Sequence, residues 1–142
     1  MYSKILVPVD GSQNALRALS EGLFLASKLN SKLTILYVTE IPPFVYIQSQ
    51  KIIDTILETL EDESKRILDE AESIAQNQDV NYEIVSLKGQ SVGSTILEYE
   101  VKNNFDLIII GSRGRGKIKS TILGSTSNYV FNHTKKPVLV VK

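Results

Sequence analysis

The chain has 142 residues, 42% of them hydrophobic and 23% charged, which is the balance of a globular domain and not of a disordered chain. At roughly 150 residues per domain, residues 1–142 are expected to form one domain with a buried core. There is no cysteine and one histidine, His133. That excludes disulfide frameworks, thiolate metal sites, cysteine nucleophiles and multi-histidine metal centres, and it leaves a Ser-His-Asp triad only His133 to use.

Met1-Tyr2-Ser3-Lys4 runs straight into Ile5-Leu6-Val7, too short for a signal sequence. No apolar run approaches the ~20 residues that span a bilayer. A cytoplasmic protein with no membrane partner is the expectation.

Ile5–Val9 is the first strand-length apolar run. After Ser12, Leu16, Leu19, Leu23, Ala26 and Leu29 repeat at helical spacing. Lys32–Val38 is a second strand. Ile41-Pro42-Pro43-Phe44-Val45-Tyr46-Ile47 is apolar and broken by Pro-Pro, so it is expected as a loop packed on something, whether lid, partner contact or plain connection. From Ser49 to Gln76, Ile53, Ile56, Leu60, Ile67, Ala71 and Ile74 form one stripe of a long helix, with an acidic, solvated opposite face. Asn81–Leu87 alternates as a third strand. Ser91–Asn103 reads as a helix, and Asp106–Ile110 as a strand covered on both faces. Thr121–His133 is a last helix and Pro137–Val141 a last strand. This βα alternation predicts an open parallel five-stranded sheet with helices on both faces.

The zero net charge conceals an asymmetry. Residues 1–110 carry 9 basic and 16 acidic side chains, whereas residues 111–142 carry 7 basic and none acidic. An acid-free segment is a candidate anion site.

In such sheets ligands bind beyond the carboxyl ends of the strands. After the first strand stands Asp10-Gly11-Ser12, in which Asp10 is either a functional carboxylate or, like Ser12, a helix cap. After the fourth stands Gly111-Ser112-Arg113-Gly114-Arg115-Gly116-Lys117. Glycines there permit positive φ and close approach of N–H groups to an anion, and the basic side chains reinforce them. Gly124-Ser125-Thr126-Ser127 follows, at or near a helix N-terminus, where N–H groups and the dipole favour phosphate. The combined spacing is G-x2-G-x9-G-[ST]. It is neither G-x4-G-K-[ST] nor a G-x-G-x-x-G after the first strand.

These residues carry a resemblance. Ile5-Leu6-Val7-Pro8-Val9-Asp10-Gly11-Ser12, then Asp106 to Gly114, Leu123 to Ser127 and Lys136 to Val141, resemble the universal stress protein family in its ATP-binding class, across the whole chain. The resemblance implies strand order 3-2-1-4-5, a Rossmann-like fold of the adenine nucleotide alpha hydrolase type. It implies ATP across the carboxyl ends of strands one and four. Pro8, Val9 and Asp10 would line the nucleotide, with Asp10 near ribose and the phosphates of an ATP-Mg2+ (or Mn2+) complex. Val38 would meet adenine through its backbone. Gly111, Arg113, Gly114 and Arg115 would cradle ribose and phosphate, and Gly124, Ser125 and Thr126 would hold the phosphates. It also implies a homodimer joined along the last strand and a stress-response role. Arg115-Gly116-Lys117 departs from the family's hydrophobic continuation.

Turnover is expected to be slow or absent, because Asp10 is the one candidate for orienting a water and His133 sits near a helix end. The alternatives are an adenylating or phosphotransfer enzyme, which would favour Ser-Gly-Gly over Asp10-Gly11-Ser12; a receiver domain, which would end strand three in Asp where Leu87-Lys88 stands; and a nucleic-acid binder, which would interleave aromatics where Tyr129 and Phe131 read as core.

Overall fold

The computed structural model describes residues 1–113 and 123–142. The elements are β1 (Lys4–Pro8), α1 (Gln13–Leu29), β2 (Lys32–Glu40), a 3-10 turn (Pro43–Ile47), α2 (Gln50–Ala75), β3 (Asn81–Gly89), α3 (Val92–Asn103), β4 (Leu107–Gly111), α4 (Ser125–His133) and β5 (Val138–Val141). All strand pairs are parallel and the sheet order is β3-β2-β1-β4-β5, as the family resemblance implies.

Strand side chains alternate between two cores. Ile5, Val7, Leu33, Ile35, Leu107 and Ile109 pack under α1 and α2. Leu6, Leu36, Ile108 and Ile110 pack on the other face with Ile96 of α3, Phe105 and Val130 of α4. Ile5–Pro8 of β1 and the whole of β4 are therefore apolar and buried, because both faces are covered.

The helices meet the sheet by somewhat different faces than the large apolar residues suggest. In α1 the buried residues are Asn14, Ala15, Ala18, Leu19, Gly22, Leu23 and Ala26, while Leu29 is exposed. Small residues set this face. A Cβ on Gly22 would come within 2.9 Å of Val7 Cγ2, so the helix lies close on β1. In α2 the buried positions are Ser64, Ile67, Ala71 and Ala75; Ile53, Ile56 and Leu60 of the expected stripe stay half-buried. The segment expected as a loop after β2 is one turn of 3-10 helix, anchored by buried Ile41 and Val45, with Phe44, Tyr46 and Ile47 exposed.

Two further expectations need correction. Leu123 and Gly124 precede α4, whose first helical residue is Ser125, not Thr121. Phe131 is exposed and Tyr129 lies at the surface, not in the core. Tyr129 covers Gly93 and stacks on His133 with ring centroids 4.1 Å apart. α4 is nine residues long and buries only Ser127 and Val130.

Candidate nucleotide site at the carboxyl ends of the strands

β1 and β4 are neighbours in the sheet, so the segments leaving their carboxyl ends emerge side by side. After β1 the chain reverses at Gly11, whose φ of +85° is favourable only without a Cβ. The turn satisfies both sequence alternatives in part. Ser12 caps α1, its Oγ accepting the Ala15 N–H at 3.1 Å. Asp10 Oδ1 accepts the Ser12 N–H at 2.9 Å. Asp10 thereby holds the turn with one oxygen and keeps Oδ2 for a second partner.

After β4, Gly111 is pressed against the start of α1. A Cβ there would stand 2.8 Å from the Asn14 carbonyl carbon and 2.9 Å from the Ala15 nitrogen. Its requirement is space; among the described glycines only Gly11 has positive φ. Arg113 follows, exposed. Gly114 and Arg115 lie outside the described residues.

α4 starts at the same end of the sheet. Gly124 is its N-cap, in an extended conformation (φ −68°, ψ 167°), and no side chain caps the helix. The Gly124 N–H donates to Ser112 O at 2.7 Å. The first intrahelical bond runs from Asn128 N–H to Gly124 O at 2.9 Å. The N–H groups of Ser125, Thr126 and Ser127 therefore have no intrahelical acceptor, and no side-chain oxygen among the described residues takes its place. Ser127 Oγ points back into the fold and donates to Gly111 O at 2.5 Å, fixing the helix to the end of β4.

One cavity of about 1080 Å³ joins these features. Pro8, Val9, Asp10, Val38, Gly111, Arg113, Gly124, Ser125 and Thr126 all line it, so every expected site residue that is described meets there. The volume is at the upper end of small-molecule sites. Its apolar lining comes from Val38, Leu60, Val92, Ile96 and Ile110. Asp10, Arg113 and the first turn of α4 add two charged side chains and open donors to the same cavity. That lining suits a ligand that carries both an apolar ring and an anion.

Leu60 and Glu63 of α2 and Val92 and Ile96 of α3 were not expected in the site. α2 has 26 residues against 9 in β2, and Leu60 and Glu63, midway along it, reach the cavity. That length was visible in the sequence; the direction in which the helix would lie over the sheet was not. Among the described residues no group of three His, Cys, Asp or Glu side chains could hold a metal ion unaided. No helix among them is long and apolar enough to cross a membrane.

Known proteins share this fold. The model of the universal stress protein family matches residues 1–142. The universal stress protein YxiE of Bacillus subtilis is 31% identical, with all of both chains covered. The structure of the universal stress protein UspA from Lactobacillus plantarum superposes with a TM-score of 0.85 at 25% identity, covering 99% of this chain and 98% of that one. A universal stress protein solved in complex with cAMP matches with a TM-score of 0.72 at 25% identity, covering 99% of this chain and 97% of that one. Matched from its first residue to its last by the family model, the chain belongs to the universal stress protein family.

Proposed function

We propose that the protein is an ATP-binding regulatory member of its family, which holds the nucleotide in the cavity between β1, β4 and α4 and hydrolyses it slowly or not at all. The observation that carries this reading is the uncapped first turn of α4. Its N–H groups open onto the same cavity as Asp10 and Arg113. Such a turn favours phosphate through both its free donors and its dipole. The family relative solved with cAMP supports an adenine nucleotide as the ligand class.

In this reading adenine lies against the backbone of Val38, with Pro8 and Val9 beneath it. Ribose crosses the backbone of Gly111. Ser125 and Thr126 bind phosphate through N–H and hydroxyl groups, and Gly124 contributes the extended turn that exposes them. Arg113 adds charge from the rim, and Gly114 and Arg115 are assigned to the same cradle. A magnesium or manganese ion fits this donor set only through ATP itself. Asp10 offers one oxygen, and phosphates and water complete the shell, which is the usual habit of magnesium. The metal's contribution would be to neutralise phosphate charge.

Asp10 is the sole carboxylate of this cavity that leaves directly from β1 beside the phosphate end, and one of its oxygens is held by Ser12. Glu40 of β2 and Glu63 of α2 also line the cavity, and this reading sets both on the adenine side. A water in line with a γ-phosphate has no dedicated base, hence slow turnover. We assign the protein to the cytoplasm.

Isothermal titration calorimetry tests the reading. ATP-Mg2+ should bind with a dissociation constant near 1 µM or below, about 8 kcal/mol. Flavin mononucleotide, with a larger ring and one phosphate, should bind at least tenfold more weakly (about 1.4 kcal/mol). Equal affinity for the two would overturn the assignment.

We also propose a homodimer joined along β5. This strand ends the sheet, and Leu139 on it is 37% exposed. An unpaired edge of apolar residues invites a second copy. Light scattering at tens of micromolar should give twice the mass of the 15.8 kDa chain. A monomer at that concentration contradicts the dimer.

A further inference from the structure

Ser112, between β4 and the proposed phosphate site, serves three elements with its three polar groups. Its N–H donates to Val141 O of β5 at 2.7 Å, and its carbonyl accepts the Gly124 N–H at 2.7 Å. Its Oγ accepts from Asn14 Nδ2 of α1 at 3.0 Å. Asn14 is 7% exposed, and its Oδ1 accepts from the Arg17 guanidinium. The Nε of Arg17 in turn donates to Lys142 O at 2.9 Å. The bonds close a ring: Asn14 to Ser112, Ser112 to Val141, along the chain to Lys142, and back through Arg17. From the ring a single bond reaches the N-cap of α4.

Neither Asn14 nor Ser112 lines the cavity. Resting on the reading of that cavity as a nucleotide site, we propose that Asn14 is a positioning residue for the phosphate turn and that, through Ser112, it couples nucleotide binding to the end of β5. A phosphate held by the first turn of α4 fixes Gly124. Gly124 fixes the Ser112 carbonyl, and the peptide plane on the other side of Ser112 carries the N–H that holds β5. Asn14 keeps Ser112 from turning as a unit, because both ends of its amide are committed and a buried amide does not give up its partners cheaply. Any coupling is reciprocal: what nucleotide does for β5, an ordered β5 does for nucleotide affinity.

Hydrogen exchange followed by mass spectrometry tests this, read on residues 137–142 with and without saturating ATP-Mg2+, with ATP affinity measured in parallel. In the unsubstituted protein ATP should slow exchange in this segment about tenfold. Asn14→Ala keeps the Cβ that packs on Gly111 but removes the amide. It should abolish the slowing and weaken ATP about tenfold, as should Ser112→Ala. The double variant should be no worse than either alone, since both cut the same link. Ser112→Thr retains the hydroxyl and should retain both effects. If ATP binds and exchange in 137–142 does not change, or changes equally in Asn14→Ala, the coupling is overturned and the nucleotide reading stands. If the unsubstituted protein binds no ATP, both fall. Should circular dichroism show Asn14→Ala unfolded, Ser112→Ala, which removes one atom, decides in the same way.

Discussion

Gly111→Val is expected to cost about 3 kcal/mol of folding stability, at the upper end of overpacking penalties, and to abolish ATP binding. The cost comes from what the new side chain meets. A Cβ at this position would lie 2.8 and 2.9 Å from backbone atoms of Asn14 and Ala15, where no rotamer change gives relief. Either the first turn of α1 moves or β4 does. α1 is held at that point by the Ser12 cap, and β4 is buried along its whole length. Denaturant titration followed by circular dichroism reads the loss. A variant as stable as the unsubstituted protein would show that α1 and β4 are not in the contact described.

Thr126→Asp separates stability from binding. Position 126 is in the first turn of α4, where a carboxylate is favoured by the helix dipole, so the melting temperature should hold or rise slightly. The same carboxylate would occupy the place proposed for phosphate. Two like charges about 4 Å apart repel by roughly 4 kcal/mol at the dielectric of a protein surface. After relaxation a loss of at least a hundredfold in ATP affinity, about 3 kcal/mol, is expected. Calorimetric titration measures it. A stable Thr126→Asp protein with undiminished affinity would place the phosphates elsewhere.

The layered architecture was legible in the sequence because β1 and β4 are apolar runs and the helical stripes alternate with them. Strand order was legible only through the family's motifs, since βα alternation alone is compatible with several orders. The candidate site was legible as a set of positions: Asp10, Gly111 and Gly124-Ser125 are set apart by spacing, and all of them line one cavity. Their physical reasons were less legible. Gly111 was read for its freedom of φ, whereas the structure requires its lack of volume. The face of α1 was legible in Leu19, Leu23 and Ala26, which are buried, but not in Ala15, Ala18 and Gly22, small residues that let the helix lie close to β1. Tyr129 and Phe131 were read as core because they stand in a helical pattern, but α4 is too short to bury more than one stripe. The Asn14–Ser112 bond joins residues 98 apart in sequence, and neither residue type announces it.

Thermal unfolding with and without ATP tests the central claim most directly. A ligand that binds only the folded state stabilises it according to its concentration over its dissociation constant. At 1 mM ATP-Mg2+ and a constant near 1 µM this amounts to about 4 kcal/mol. For a chain of this size the melting temperature should rise by about 10 °C. Flavin mononucleotide at the same concentration should raise it far less. An unchanged melting temperature at 1 mM ATP-Mg2+ would contradict the account: the open turn of α4 beside Asp10 and Arg113 would then not be a nucleotide site.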